Sequence, residues 1–205
     1  MIETNLIAKL TSLPKIQQFL LGFGFYLVIY IFWYDVLLNP ITANKDIGSL
    51  IFLPHGARFL VIAIFGWIGF WAIFFGALLG PLINEEIVKL NSLPWENYLN
   101  IWHNLESLSG ALCVLLVLRF LHWAKIIDRW RGDLFIHEPS KLILIIFSSA
   151  CINGLLTNFI TSQSSLGVET SPIRVIRYVA GDIVGATYLL IFCYVGYKLW
   201  LRFIR

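Results

Sequence analysis

Charge is what this chain lacks most. Lys, Arg, Asp and Glu make up 13% of its 205 residues, while 59% are hydrophobic and 16% aromatic. A soluble domain carries roughly 25% charged residues, so a fold of this size has too few polar side chains to clothe a water-facing surface. Disorder is excluded on the same grounds, because disordered segments are rich in charge and poor in aromatics. Cysteine is sparse: Cys113, Cys151 and Cys193 each sit inside an apolar run without C-x-x-C spacing. They read as small buried hydrophobes, not as a disulfide or metal framework. Four histidines cannot supply the several His boxes of a membrane di-iron enzyme. The sequence has no G-x-S-x-G, Walker-type loop or Rossmann fingerprint, and no serine with an obvious histidine partner. The net charge of +3 is spread along loops and gives no nucleic-acid footprint. Together these absences exclude a soluble enzyme, disfavour an enzyme of any kind, and imply neither cofactor nor metal.

What the chain has instead is long apolar runs, the mark of an all-α polytopic membrane bundle forming one domain over residues 1–205. Residues 16–34, 101–120, 142–160 and 178–201 are each about one bilayer long. Residues 57–83 are harder to place: as one helix they would span roughly 40 Å against a hydrocarbon core of ~30 Å. Pro54 precedes this run, and Gly66 and Gly69 interrupt it. Two short helices, about 54–65 and 70–83, joined by a tight turn at Gly66–Gly69 resolve the excess length. Short segments of this kind survive only when other helices shield them from lipid. The expected architecture is therefore about six membrane segments. Lys9 and Lys15 with no cleavage pattern before the first run suggest a retained anchor, not a removed signal. The Ser/Thr-rich stretch 161–172 reads as an exposed external turn.

Basic residues orient such a bundle. With six segments and the N-terminus inside, ten of the fifteen fall in the cytoplasm, including Arg119, Lys125, Arg129, Arg131 and Lys141 in one loop. Five segments with the N-terminus outside give the same division. Both place the 119–141 loop and the C-terminus in the cytoplasm. Six segments are preferred because the glycine pair explains the excess length and because the polar residues then fall into place. The expected location is a bacterial inner membrane with both termini cytoplasmic.

Ionisable groups in a spanning helix cost on the order of 3 kcal/mol and tend to mark function. Three clusters qualify. Pro54-His55-Gly56-Ala57-Arg58 puts His55 and Arg58 three residues apart on one helical face. Arg58 either serves a site or snorkels to the outer headgroups. His103-Asn104-x-Glu106 similarly brings an imidazole and a carboxylate together, or forms a hydrated interfacial pair. Gly181-Asp182-x-x-Gly185 sets Asp182 one turn beyond Tyr178, where an ion pair with Arg58, Arg174 or Arg177 is the structural alternative. With six segments, His55, Arg58, His103, Glu106 and Asp182 lie in the outer half of the bundle, joined by Asn84 and Asn158. All seven can line one externally facing cavity. A metal held by His55, His103, Glu106 and Asp182 is sterically conceivable, but His103/Glu106 is the single short-range ligand pair, so no metal is expected. Gly76-x-x-x-Gly80 and Gly181-x-x-x-Gly185 read as intramolecular packing faces, as does the Pro54/Gly56 start. Glu85-Glu86 is similar to the paired glutamates of some intramembrane proteases, but it lacks the arginine that follows there and falls in a loop.

The order P-H-G-A-R-F-L, a glycine turn, F-F-G-A-L-L-G, L-E-S-L-S-G-A-L-C-V-L-L-V-L-R and R-Y-V-A-G-D-I-V-G resembles the first family of membrane-associated sensor (MASE) domains. The matches fall on Pro54 and Gly56, on Gly76, Ala77 and Leu79, on Glu106, and on Gly181 and Asp182, within about residues 48–194. The resemblance implies a polytopic helical input module, of a kind usually fused to cytoplasmic kinase, diguanylate cyclase or phosphodiesterase domains. This sequence ends at Arg205, just past the last apolar run, so a separate partner protein is expected to read any signal. The expected function is a non-enzymatic, sensor-like or ligand-binding membrane module. The substrate-binding subunit of an energy-coupling-factor importer and an accessory structural subunit of a larger complex are the alternatives. Cysteines placed at Asp46, Ile68, Val88 and Asp128 test the topology by labelling in intact cells. Six segments require positions 46 and 88 to label from the same side, and opposite sides would refute them.

Overall fold

A right-handed helix cannot continue through a residue of positive φ, and Gly66 stands at φ 60°, ψ −126°. Only glycine adopts that conformation without strain, so the helix beginning beside Pro54 ends there and the chain reverses. In the computed structural model, which describes residues 2–38, 51–88, 101–127, 139–163 and 171–204, the described elements are all helical. They are α1 (Ile2–Ser12), α2 (Lys15–Phe32), α3 (Leu53–Phe65), α4 (Trp67–Val88), α5 (Ile101–Trp123), α6 (Pro139–Gln163) and α7 (Pro172–Ile204). A π-helical turn, Trp33–Leu38, extends α2.

Several boundaries differ from expectation. The reversal takes one residue, not four: α4 starts at Trp67, and Gly69 is already helical. Gly69 is needed for another reason, since a Cβ there would collide with the Val61 carbonyl of α3. Glu85 and Glu86 lie on α4, not in a loop, and α6 continues to Gln163 into the stretch read as a turn; residues 164–170 lie outside those described. α7 begins at Pro172, so Asp182 stands well inside its helix instead of one turn from the start. The short α1 has no counterpart in the apolar runs. Pro14 separates it from α2, and the buried Gln18 amide donates to the Thr11 and Leu13 carbonyls at 3.0 and 2.8 Å, satisfying its C-terminal end.

Glycine contacts give the helix directions. Ala72, Gly76 and Gly80 of α4 meet Gly22, Tyr26 and Tyr30 of α2 in the same order, so the two run parallel. α3 folds back between them, with Val61 against Gly22. Gly56 of α3 abuts Ala186 and Leu189 of α7, and Gly185 abuts Phe52, which makes α3 and α7 parallel as well. Gly154 of α6 meets Val175 and Val179, so α6 is antiparallel to α7. Gly76 and Gly80 thus pack within the chain, against tyrosines.

Among the described residues, three helices are long and apolar enough to cross a membrane: residues 15–35, 140–163 and 172–196. Leu53–Phe65, Trp67–Gly80 and Leu108–Trp123 are shorter apolar helices. At 13 residues, α3 measures about 20 Å, too short to span alone, and all of its residues but Leu60 and Ile64 are buried. The exterior is apolar: Phe147, Phe159 and Phe192 are 55%, 63% and 74% exposed. The interior holds His55, Asp182, Asn153 and Ser149. A continuous apolar exterior of this kind suits lipid, not water. Close packing at Gly185 implies that Gly185→Val destabilises the bundle by about 1–3 kcal/mol through overpacking. Gly196→Ala, with no heavy atom within 4 Å of the added carbon, should leave thermal unfolding in detergent unchanged or raised.

Candidate functional site

The start of α3 is moored to α7 by its backbone. Phe52 N–H donates to the Gly181 carbonyl at 2.9 Å, and His55 N–H donates to the Phe52 carbonyl at 3.1 Å. Pro54 occupies the first turn, where its missing N–H costs nothing. Gly185 lets the Phe52 backbone come this close. Trp33 closes the other side: its indole donates to the Ile51 carbonyl at 2.6 Å, and its ring meets Phe52 edge-on at 4.7 Å. This mooring fixes the height of His55 against α7, one residue beyond Gly181.

His55 then joins a buried polar chain across three helices. Its Nε2 lies 3.2 Å from Ser149 Oγ on α6, and its Nδ1 lies 3.4 Å from Asp182 Oδ2 on α7. The latter approach has charge-pair distance without hydrogen-bond alignment. Asp182 Oδ2 also accepts from Asn153 Nδ2 at 2.7 Å, and Thr157 Oγ1 reaches Asn153 Oδ1 at 3.4 Å. Every member of this chain is buried.

Proton accounting limits how the chain can be populated. Ser149 Oγ lies 3.1 Å from the Ile146 carbonyl and donates to it. Nε2 must then carry the proton between His55 and Ser149, and a neutral ring presents a bare Nδ1 to Asp182. Two acceptors would then stand 3.4 Å apart, a repulsion that a further proton on either group relieves. In the other arrangement the serine hydroxyl turns to donate to Nε2, and Nδ1–H faces the carboxylate. That arrangement leaves the pair singly negative, balanced by the buried Arg58 one turn along α3. The serine rotor and the ring proton are thus coupled, and moving one moves the other.

Arg58 occupies a recess of its own. Its guanidinium lies 5.3 Å from the Phe52 ring centroid, and a Cβ at Gly110 on α5 would fall 2.5 Å from Nη1. Gly110 therefore makes room for the arginine, beside the buried Ser109.

Of the seven residues singled out from sequence, the structure brings His55 and Asp182 into contact, with Arg58 one turn from His55. Asn158 is buried nearby on α6, its amide donating to the Gly154 carbonyl at 2.7 Å. Asp182 meets His55 and Asn153, and the charge of Arg58, one of the arginines expected, acts on it as well. Arg174 instead lies over the Tyr178 ring at 5.8 Å. Asn84 lies on α4 and His103 and Glu106 on α5, but their side chains are outside those described. Sequence reasoning missed Ser149, Asn153 and Thr157. They recur every four residues and so share one face of an otherwise apolar helix, a stripe that was there to be read.

Ser149, His55 and Asp182 also fall in the order nucleophile, base, acid. This overturns the expectation that no serine has a histidine partner. Three features oppose acyl transfer. Ser149 is 0% exposed, it sits mid-helix where neighbouring amides are committed to the backbone, and its hydroxyl is within reach of Ile146. Among the described residues no three His, Cys, Asp or Glu are grouped to hold a metal ion. No protein-family model, curated protein or solved structure matches the chain.

A shared network makes substitutions non-additive. Asn153→Ala and Asp182→Ala should couple by roughly 0.5–3 kcal/mol in a double-mutant cycle on unfolding, whereas Asp182→Ala and the remote Lys198→Ala should simply add.

Proposed function

We propose that this chain is a non-enzymatic integral membrane module of the sensor or ligand-binding kind, acting through a partner protein. The observation that carries the reading is the buried His55–Asp182 contact, 3.4 Å across two helices of an apolar bundle. Ionisable pairs at such depth are costly and tend to mark the working part of a membrane protein. In this reading α2 to α7 form six membrane segments, with the α3–α4 hairpin shielded by its neighbours and both termini in the cytoplasm of a bacterial inner membrane. A ligand or proton arriving from the outer side competes for His55, Arg58 and Asp182, with Asn84, His103, Glu106 and Asn158 as further contacts. The exchange shifts α3 against α6 and α7 and reaches the basic cytoplasmic segment after Arg119. The resemblance to MASE domains is part of this proposal. It is supported by the place of its motif residues: Pro54 and Gly56 on α3, Gly181 and Asp182 on α7, at one helix–helix contact.

The test compares Asp182→Asn and Glu106→Gln with the parent protein in lipid bilayers by hydrogen–deuterium exchange. The proposal expects retained helicity and a several-fold change in exchange of peptides from 119–127 and 198–204. If both variants leave those peptides unchanged, the polar chain is packing alone and the sensor reading fails. The order of Ser149, His55 and Asp182 favours one other reading, an intramembrane hydrolase. Labelling of the parent by a fluorophosphonate, lost in Ser149→Ala, would establish the hydrolase in its place; the expected result is no labelling.

A further inference from the structure

At the opposite end of α3 from His55, the Gly66 turn opens onto a groove of about 810 Å³ between α2, α4 and α5. Its lining combines two chemistries. Lys15, Arg119 and His122 supply positive or protonatable groups, and none of the described lining residues is acidic. The rest is apolar or aromatic, with Trp67, Leu116 and Phe120 roughly half exposed or more. Arg119 is held with its guanidinium 5.4 Å from the Trp67 ring centroid. The groove also contains the N-terminus of the 22-residue α4, whose first backbone bond runs from Phe70 N–H to the Gly66 carbonyl. The amides before it form the positive end of that helix.

We infer that this groove is a binding site for an anionic phospholipid, which seats its phosphate among Lys15, Arg119 and the start of α4 and its acyl chains along Leu116 and Phe120. Charge complementarity carries the choice of occupant, because Lys15 and Arg119 beside a helix N-terminus, with no acidic residue among the described lining, select an anion. The apolar walls select an anion with hydrocarbon attached. The volume is far more than a bare phosphate ion fills. Depth agrees: Lys15 is the first residue of the apolar stretch 15–35, the level at which headgroups meet hydrocarbon, and tryptophans such as Trp67 prefer that level. Gly66 matters twice here, since it lines the groove and a side chain at its positive φ would strain the reversal. The inference rests on the membrane reading and not on the sensor reading, so either can fail alone.

The probe is the whole protein reconstituted in phosphatidylcholine nanodiscs with or without phosphatidylglycerol, followed by native mass spectrometry of retained lipid. The expected result is a retained phosphatidylglycerol that phosphatidylcholine does not replace. Its retention should weaken roughly fivefold in Lys15→Gln and again in Arg119→Gln, the ratio set by about 1 kcal/mol per basic group near an anionic surface. Arg119→Lys, which keeps the charge, should retain most of the binding, and Lys198→Gln on α7 should retain all of it. Retention by both neutral variants equal to that of the parent protein would overturn the site. So would displacement of the lipid by millimolar inorganic phosphate, which would mean the walls contribute nothing.

Discussion

Everything in this bundle is positioned by the reversal at Gly66. A single helix through residues 53–88 would carry His55 and Arg58 to one end and Val88 to the other, with α3 as a mere extension of α4. Because the chain folds back after one residue at φ 60°, α3 lies antiparallel to α4 and parallel to α7. That alignment brings Phe52 to Gly181 and Gly185, and His55 to Asp182. The hairpin is held by contacts that tolerate no added atom, at Gly69 against Val61 and at Gly22 against Val61 and Ala72. Backbone shape comes first here, and the polar chemistry follows from it.

The structure differs from a water-soluble fold in its exterior: the core is largely apolar, as in water, but the outer face is apolar too, and a few polar groups lie inside. In water, phenylalanines drive collapse and histidines decorate the surface. Here Phe147 and Phe159 of α6 and Phe192 of α7 face outward, and the interior contacts between α3, α6 and α7 include Ser149, His55, Asp182 and Asn153. Lipid offers an apolar side chain nothing it loses on leaving a neighbour, so helix association rests on close packing and on polar pairs without a better partner. Glycines at positions 56, 154 and 185 supply the closeness. The His55–Asp182–Asn153 group supplies specificity of register, since a shift of one helical turn separates all three.

The sequence was most legible where hydropathy and backbone chemistry coincide. The apolar runs located α2, α5, α6 and α7, and the excess length of 57–83 with its glycines foretold the α3–α4 hairpin. Boundaries were less legible because hydropathy registers contact with lipid, not helix. The polar first turns of α7 and the end of α4 are helical without being apolar. In the site, scarcity pointed to His55, Arg58 and Asp182, as charged groups that orientation does not explain. Ser149, Asn153 and Thr157 escaped because Ser, Thr and Asn in a helix can bond their own backbone, as Thr187 does to Ile183 at 2.8 Å. Taken singly such residues look self-satisfied, and their recurrence every four residues along α6 is the signal that marks one face. The partner of Asp182 escaped for a different reason. Charge alone favours an arginine, whereas the choice of His55 is made by the Phe52–Gly181 bond, a contact between residues with no side-chain chemistry to announce it.

The placement of the polar chain on α3, α6 and α7 has a consequence for biogenesis. These helices leave the ribosome in that order, with 126 residues between His55 and Asp182. While α7 is still being made, α3 and α6 must enter the bilayer carrying His55 and Asn153 without the carboxylate that both are built to meet. α3, short and almost wholly enclosed in the finished bundle, has no lipid-compatible resting place until its neighbours arrive. In the membrane reading, α3 and α6 gain their polar partner once α7 is in place beside them. The order of synthesis thus sets when the polar chain can close.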